Sequence, residues 1–480
     1  MVSPRVHVAA DGRALGAAFA AIRREMKVPG AFSPDVLDDA ERSARQGPRE
    51  REGIARADRR AIPFVTIDPP GSRDLDQAFA AERRPGGVRV HYAIADVGAF
   101  VAPDGPLDAE TRTRGATTYL PDGHAPLHPA VLGEAAASLL PDGDRPALVW
   151  TFDLDDDGAV ERSHLEPAWV RSRAQLTYAQ AQDLIDRGTA DDSLALLRVV
   201  GESRRRQEER RGAVSLELPE QEVVTRADGT FALELRSPLP IEEWNAQISL
   251  MTGMQAADIM LAGGVGLLRT LPAPPPRTVE LLRRAAQALD LQWPSDMDYP
   301  TRMRTLPRSP ASAALMTQAA RLLRGAGYAA FTEPPAEVPL HSAIAAAYAH
   351  VTAPLRRLGD RFAEEISLAL VHDRTPPSWA TDALPELPSA LARAQQRQQS
   401  VDRATTDAVE AATLAHRVGE RFDAVVVDVN ERSAKVELRD VAVIASITPD
   451  GVRAGERVRL RLDAADVAAR SVLFVLDGPR

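Results

Sequence analysis

The hydrophobic pattern of this chain changes at Gly419. After it, the stretches RFDAVVVDVNERSAKVELRDVAVIASI, ERVRLRLDAAD and SVLFVLD alternate apolar and polar residues in short runs bounded by turn residues. A period of two specifies strands with one buried face, and roughly sixty residues of such strands suit a small five-stranded barrel of the oligonucleotide-binding type. Before Gly419 the same sequence reads differently. Helical and extended stretches follow one another without a strict βαβ rhythm, which favours α+β over a doubly wound sheet. A length of 480 residues exceeds one ordinary core. The fold class is therefore α+β and multidomain. The expected units are a small helical, helix-turn-helix-like module at 1–60, a mixed α+β domain at 61–417 and the barrel at 418–480.

Coarse elements follow from periodicity. GRALGAAFAAIRREMKV and SPDVLDDAERSARQ have helical spacing, the second with Ser33 as N-cap and Pro34 at the first turn. VRVHYAIADVGAFV alternates and then turns wholly apolar, as a buried strand does. LALLRVVGESRRRQEERRG reads as a helix ending at Gly212, and IEEWNAQISLMTGMQAADIMLAGGVGLLR as one long apolar helix. TVELLRRAAQALDL, GDRFAEEISLALVHDR and LARAQQRQQSVDRATTDAVEAATLAHRV are further helices, and the proline-rich 373–388 is a loop.

With no cysteine, disulfides and thiolate metal sites are excluded. No apolar run is long enough to cross a bilayer and the start lacks a leader-like apolar core, so no membrane partner and a cytoplasmic location are expected. The net charge of −10 argues against nucleic acid on average, but a basic channel can exist on an acidic protein. Cations are almost all arginine, Lys27 and Lys435 being the lysines. Codon bias explains that, and guanidinium forks also suit phosphate oxygens.

The stretch FVTIDPPGSRDLDQAF, Phe64 to Phe79, concentrates carboxylates beside a turn. Asp68 ends a strand, and Asp74 and Asp76 share parity, so an extended backbone points them the same way. The Pro-Pro-Gly turn can bring all three together. Converging carboxylates need a cation, and hard oxygen ligands select Mg²⁺ or Mn²⁺. The competing reading is a solvated acidic turn.

This stretch resembles the opening of the catalytic RNB domain of the ribonuclease II / ribonuclease R family, an "ID" strand end followed by "DxDD". YAHVTAPLRRLGDRFAEEIS, Tyr348 to Ser367, resembles the same family's "YTHFTSPIRRYPD". Between them, in family order, stand AIADVGAFV, LDAETRTRGATTYLPD, RSRAQLTYAQAQDLI, RRGAVSLELPE and PIEEWNAQISLM. The resemblance runs from about Ile62 to Ala412, and the terminal barrel corresponds to the family's RNA-binding S1 domain. Gln77 stands where the family has its fourth acid, and Ala353 replaces a serine. About sixty helical residues replace the two cold-shock barrels of bacterial members.

The resemblance implies an Mg²⁺-dependent (or Mn²⁺-dependent) hydrolytic 3′→5′ exoribonuclease that converts single-stranded RNA to nucleoside 5′-monophosphates. By correspondence, Asp68, Asp74, Asp76 and Gln77 are metal ligands, and Asp76 is the carboxylate most closely tied to turnover. Arg356 and Arg357 neutralise charge on the scissile phosphate. The bland alternative for this pair is a helix-start ion pair with Asp360. Tyr119 corresponds to a tyrosine that stacks on the terminal base, with a core tyrosine as the alternative. Tyr178 and Glu242 or Glu243 correspond to positions that read the 2′-OH, although two adjacent acids at a helix start are also ordinary. A monomer is expected. SRRRQEERR reads as a solvated helix face with Arg210 or Arg211 free for phosphate, and His341, His350 and His416 lack metal-ligand spacing. The segment from Gly419 holds 10 Arg or Lys against 11 Asp or Glu, so RNA contacts there are few or confined to one face. Two rival readings remain: a catalytically weak RNA-binding or regulatory protein on the same fold, motivated by Gln77, and a nuclease that acts on DNA or internally.

Overall fold

The computed structural model describes residues 12–216, 220–225, 230–236, 238–307, 309–441, 443–449 and 451–477. Its centre is a seven-stranded sheet built from β1 (Ala57–Asp58), β2 (Val65–Asp68), β3 (Gln77–Arg84), β4 (Gly87–Ala95), β5 (Asp144–Asp155), β6 (Val160–Arg171) and β7 (Ala174–Thr177). The order across the sheet is β1-β6-β5-β4-β3-β2-β7. The interior pairs are antiparallel, and the two outermost, β1 with β6 and β2 with β7, are parallel.

The period of two sorts the side chains of this sheet by size. Val88, Val90, Tyr92 and Ile94 of β4 face the same core as Phe79, Trp150 and Phe152, under three helices: α3 (Asp192–Arg210), α4 (Pro240–Gly263) and α5 (Leu358–Val371). The opposite face carries Ala78, Ala80, Ala93, Ala95 and Ala147, and their small side chains let other segments lie close.

The helices read in the first sixty residues are α1 (Gly12–Glu25) and α2 (Pro34–Gln46). They join different cores. Val36 and Ala40 of α2 pack on the alanine face of the sheet. Leu15, Phe19 and Ile22 of α1 pack with the long helix α6 (Leu387–Leu414) and with the terminal strands. Pro34 occupies the first turn of α2 as expected, but the Ser33 side chain makes no capping bond to the backbone. The long apolar helix read through Arg269 stops at Gly263. Gly264 takes the left-handed conformation (φ 71°) that ends a helix cheaply, and Gly266–Thr270 becomes a strand paired with Gly327–Phe331.

The last segment forms five antiparallel strands, β8 (Arg421–Val429), β9 (Ala434–Leu438), β10 (Ile444–Ile447), β11 (Arg457–Asp466) and β12 (Ser471–Leu476). Their order is β10-β9-β8-β11-β12, with β10 and β12 close to each other, so the barrel is nearly closed. Phe422, Val426, Val436, Leu460 and Phe474 fill it. Among the described residues no helix is long and apolar enough to cross a membrane.

Candidate active site

The acidic stretch folds at one end of the β2–β3 pair. Pro69-Pro70-Gly71-Ser72 is a turn closed by the Ser72 N–H on the Pro69 carbonyl at 3.3 Å, with Gly71 at φ 82°. Proline then glycine at the two central positions suits a type II turn. The chain then runs along Ser138, whose hydroxyl donates to the Arg73 carbonyl at 2.6 Å and accepts from the Leu75 N–H at 2.9 Å. That holds Asp76 directly ahead of β3 while Asp68 closes β2.

Asp76 is almost wholly buried, 3% exposed. It accepts the Leu355 N–H at 2.8 Å, and its Oδ2 lies 3.3 Å from Nε of Arg356. Burial pushes its carboxyl up to about 8, the positive charge of Arg356 opposing the rise and Asp74 adding to it. Asp68 is pushed up to about 7 by the same cause, again against Arg356 and with Asp74. Its Oδ2 is buried with no hydrogen-bond partner. Asp74 is partly exposed and accepts the Tyr119 hydroxyl at 3.3 Å. Gln77 donates its amide to the Thr352 carbonyl. Asp68, Asp74, Asp76 and Arg356 thus share one electrostatic neighbourhood. They do not form the tight three-carboxylate cage expected from the spacing: among the described residues no group of three or more His, Asp or Glu is arranged to hold a metal ion. Asp76 is turned toward the Leu355 N–H and the Arg356 guanidinium and Asp74 toward Tyr119, which accounts for the looser arrangement.

The two arginines diverge. The Arg356 side chain is 47% exposed beside Asp76. Arg357 forks onto Asp360, its Nε 3.0 Å from Oδ1 and its Nη2 2.7 Å from Oδ2. The helix-start ion pair therefore describes Arg357 but not Arg356.

Tyr119 projects from the hairpin Thr118–Leu120/Gly123–Ala125, 42% exposed, with its ring 6.0 Å from that of His124. Gln398 of α6 grips its backbone, accepting the Tyr119 N–H at 2.8 Å and donating to its carbonyl at 3.1 Å. A core role for this tyrosine is thereby excluded. Tyr178 opens the helix Tyr178–Asp186 directly after Thr177, which pairs with Asp68 across β2 and β7. Burial raises its phenol, the negative charge of Asp68 and Glu242 adds to this, and a hydrogen bond with Asn245 opposes it. Glu242 is the acid of the pair that faces this side. It accepts the Leu239 N–H at 2.9 Å and a two-pronged bond from Arg236 at 2.6 and 2.9 Å. Glu243 turns to α3 and pairs with Arg205 at 2.8 Å.

Sequence reading missed Asn245, the Ser249–Thr352 hydroxyl pair at 2.7 Å and the Leu355 N–H. Asn245 lies three residues after Glu242, on one face of a helix, so that signal was present. The other two contacts join segments about a hundred or more residues apart and leave no local trace. The SRRRQEERR stretch is not a uniformly solvated face. Arg204 is buried on the Gly158 carbonyl at 2.8 Å, Arg211 donates to the Ile344 carbonyl at 3.3 Å, and Arg210 reaches Asp157 at 3.3 Å.

Residues 56–372 match the RNB domain family. The chain belongs to that family. Residues 420–477 match the RNase II-type exonuclease C-terminal S1 domain, so the nearly closed barrel behind the RNB domain is an S1 domain. The RNB chain is 28% identical over 439 residues to Exoribonuclease 2 of Edwardsiella piscicida, covering 87% of this chain and 66% of that one. It thus spans less than two thirds of several curated relatives and about two thirds of this one. The fold is that of Mycoplasma genitalium RNase R, solved in complex with ribose methylated single-stranded RNA. The TM-score is 0.85 at 18% identity, covering 96% of this chain and 78% of the other. It is also that of yeast Ssd1, described as a pseudonuclease, with a TM-score of 0.71 at 15% identity over 93% of this chain and 57% of the other.

Proposed function

We propose that this RNB chain is a divalent-metal-dependent 3′→5′ exoribonuclease that hydrolyses single-stranded RNA to nucleoside 5′-monophosphates, with Mg²⁺ as the ordinary metal and Mn²⁺ as a substitute. One observation carries the reading: buried Asp76 and partly buried Asp68 are left under-neutralised beside a half-exposed guanidinium. Such a group of shifted acids in one place is what a site for a cation and an anionic substrate requires.

The donor set fits a hard cation. Asp68 has a buried oxygen with no partner, and every donor in reach is oxygen. Asp68 and Asp76 would hold the ion, with Asp74 adding charge from nearby and phosphate or water completing the set. When bound, the ion supplies Lewis-acid polarisation of the phosphate and a lowered pKa for an attacking water. Arg356 is placed to neutralise charge that grows on the phosphate oxygens, the electrostatic contribution that usually weighs most. Tyr119 offers an exposed ring for stacking on a base, worth about 1–3 kcal/mol. Tyr178 and Glu242 supply a phenol and a carboxylate on the Asp68 side, a donor and an acceptor for a 2′-OH.

A second reading, RNA binding without turnover, is favoured by Gln77, whose amide is engaged with Thr352 and which brings no charge. Incubation with 5′-labelled single-stranded RNA separates the two. A ladder that shrinks with release of mononucleotides is expected. A mobility shift with intact RNA establishes the binder, and internal cuts establish an endonuclease. Matched DNA should be degraded slowly, and equal rates on both would remove the 2′-OH role of Tyr178 and Glu242.

A further inference from the structure

We infer that Asp360 and Arg357 act as a positioning pair, and that Arg356 alone of the two adjacent arginines touches the RNA phosphate. The inference rests on the exoribonuclease reading and assigns a role to Asp360, which lies outside the acidic stretch.

The segment Ala353–Arg357 is a turn closed by the Arg357 N–H on the Ala353 carbonyl at 2.9 Å, and two carboxylates pin it, Asp360 at its two ends and Asp76 between them. Asp76 takes the Leu355 N–H at 2.8 Å and lies 3.3 Å from the Arg356 Nε. Asp360 takes the Ala353 N–H at 2.8 Å and the Arg357 fork at 2.7–3.1 Å. Each acid therefore binds one backbone amide and one guanidinium of the same five residues. Two of the segment's carbonyls have partners outside it: that of Arg356 accepts the Thr117 N–H at 3.0 Å, and that of Leu355 lies 3.0 Å from Nδ1 of buried His128.

The two pairs differ in what remains free. Asp360 is 0% exposed and both its oxygens are used. The Arg357 side chain is 26% exposed and its fork is spent on that carboxylate. A bidentate pair of this kind fixes orientation as well as charge. Arg356 makes one long contact through Nε, and its side chain is 47% exposed. A phosphate can reach Arg356 without breaking a pair. Reaching Arg357 would strip a buried carboxylate of its cation, a costly step. Asp360 thus holds Arg357, Arg357 and the Ala353 amide hold the loop, and the loop presents Arg356 beside Asp76.

The test uses RNA affinity against salt, measured in the full chain carrying Asp76→Asn, together with turnover in the otherwise unaltered chain. For a single strand, each lost phosphate contact lowers the slope of log K against log salt by about 0.7. Arg356→Ala should lower the slope by that amount, and Arg357→Met and Asp360→Asn should leave it unchanged. In turnover, Arg357→Met, Asp360→Asn and the double variant should each lower kcat about tenfold or more, by similar factors and with KM little altered, as expected of groups that act as one unit. A slope that drops in Arg357→Met, or a double variant whose loss is the product of the single losses, would overturn the inference. If Asp360→Asn does not fold, the Arg356→Ala and Arg357→Met slopes decide alone. If the parent chain proves inactive on RNA, the functional reading fails, whereas the slopes still decide which arginine meets phosphate. If the chain binds no RNA, both fail.

Discussion

Asp76 and Asp96 flank the same end of the β3–β4 pair, where Gln77 lies opposite Ile94 and the Asp76 carbonyl accepts the Ala95 N–H. Both carboxyls are buried, 3% and 0% exposed. Their chemistry is opposite. Burial alone would raise Asp96, but Arg51 grips both its oxygens at 2.8 Å and Arg56 adds a bond at 2.9 Å, which hold it well below the usual carboxylate range. Asp76 has one backbone N–H and a single guanidinium contact at 3.3 Å, and it is pushed up to about 8. The same fold therefore neutralises a buried acid fully at one position and leaves the neighbouring one short of positive charge. That shortfall, rather than burial, marks the place where a ligand belongs.

Exchanging each acid for its amide should separate these roles. Asp76→Asn keeps an acceptor for the Leu355 N–H and removes the charge, so turnover should fall by about 10²–10³-fold or more while RNA affinity is nearly kept, because the charge acts chiefly in the transition state. Rates close to wild type would sink the assignment. Asp96→Asn should do the reverse. It takes the carboxylate partner from buried Arg56 and leaves Arg51 to Glu365 alone, and breaking such a group costs about 3–5 kcal/mol of stability. A urea titration should show that loss, and turnover per folded molecule should be preserved. If Asp96→Asn instead lowers the rate as far as Asp76→Asn does, the contrast between the two acids is void.

Asp68, Asp76 and Arg356 were legible in the sequence because a strand end, a turn and a motif carry them locally, and the barrel was legible because alternation is a local pattern. What could not be read depended on distant packing. Glu242 and Glu243 are chemically alike, and which one faces Tyr178 is decided by Arg236 on a hairpin and Arg205 on α3. Adjacent residues on a helix diverge by about 100°, and only the neighbours reveal which way each turns. The Asp96 network joins residues 51, 56, 96 and 365, which no single segment brings together. The two N-terminal helices have clear periodicity, but nothing in 1–60 says that one belongs to the sheet and the other to the barrel.

The contrast also predicts opposite pH dependences. Asp68 and Asp76, with native values of about 7 and 8, keep protons that the unfolded chain loses near the ordinary aspartate value of 3.8. Between about pH 4 and 8 the native state then binds more protons, so these two acids make metal-free stability fall as pH rises. Asp96, held low, contributes stability above the unfolded value that is lost as pH falls through its native one. Thermal melts in chelator from pH 5 to 8 should therefore show a declining midpoint, flatter in Asp76→Asn, and Mg²⁺ should restore most at pH 8. An unchanged slope in the variant would show that Asp76 is already neutralised within the protein.

The smallest expected effect concerns Gln77, which stands one residue from Asp76 and brings an uncharged amide where a fourth acid would add to the negative charge that Asp96, with its two arginines, does not carry unpaired. Its carbonyl oxygen can serve a metal, but divalent affinity follows ligand charge. Its amide nitrogen meanwhile donates to the Thr352 carbonyl, beside the loop that carries Arg356. Gln77→Asp should therefore act in two directions. The added charge should lower the Mg²⁺ concentration for half-maximal activity by several-fold, and it should narrow any advantage of Mn²⁺, which binds such ligands somewhat more tightly. The shorter, acceptor-only side chain cannot satisfy Thr352, which should cost about 1 kcal/mol of stability. Metal titrations of turnover, paired with urea melts in chelator, measure both. A wild-type chain that saturates at low Mg²⁺ and an aspartate variant with the same requirement would remove Gln77 from the metal's surroundings and leave it a role only in holding Thr352. A wild-type chain inactive at every metal concentration, with activity appearing in the variant, would establish the natural protein as a binder of RNA.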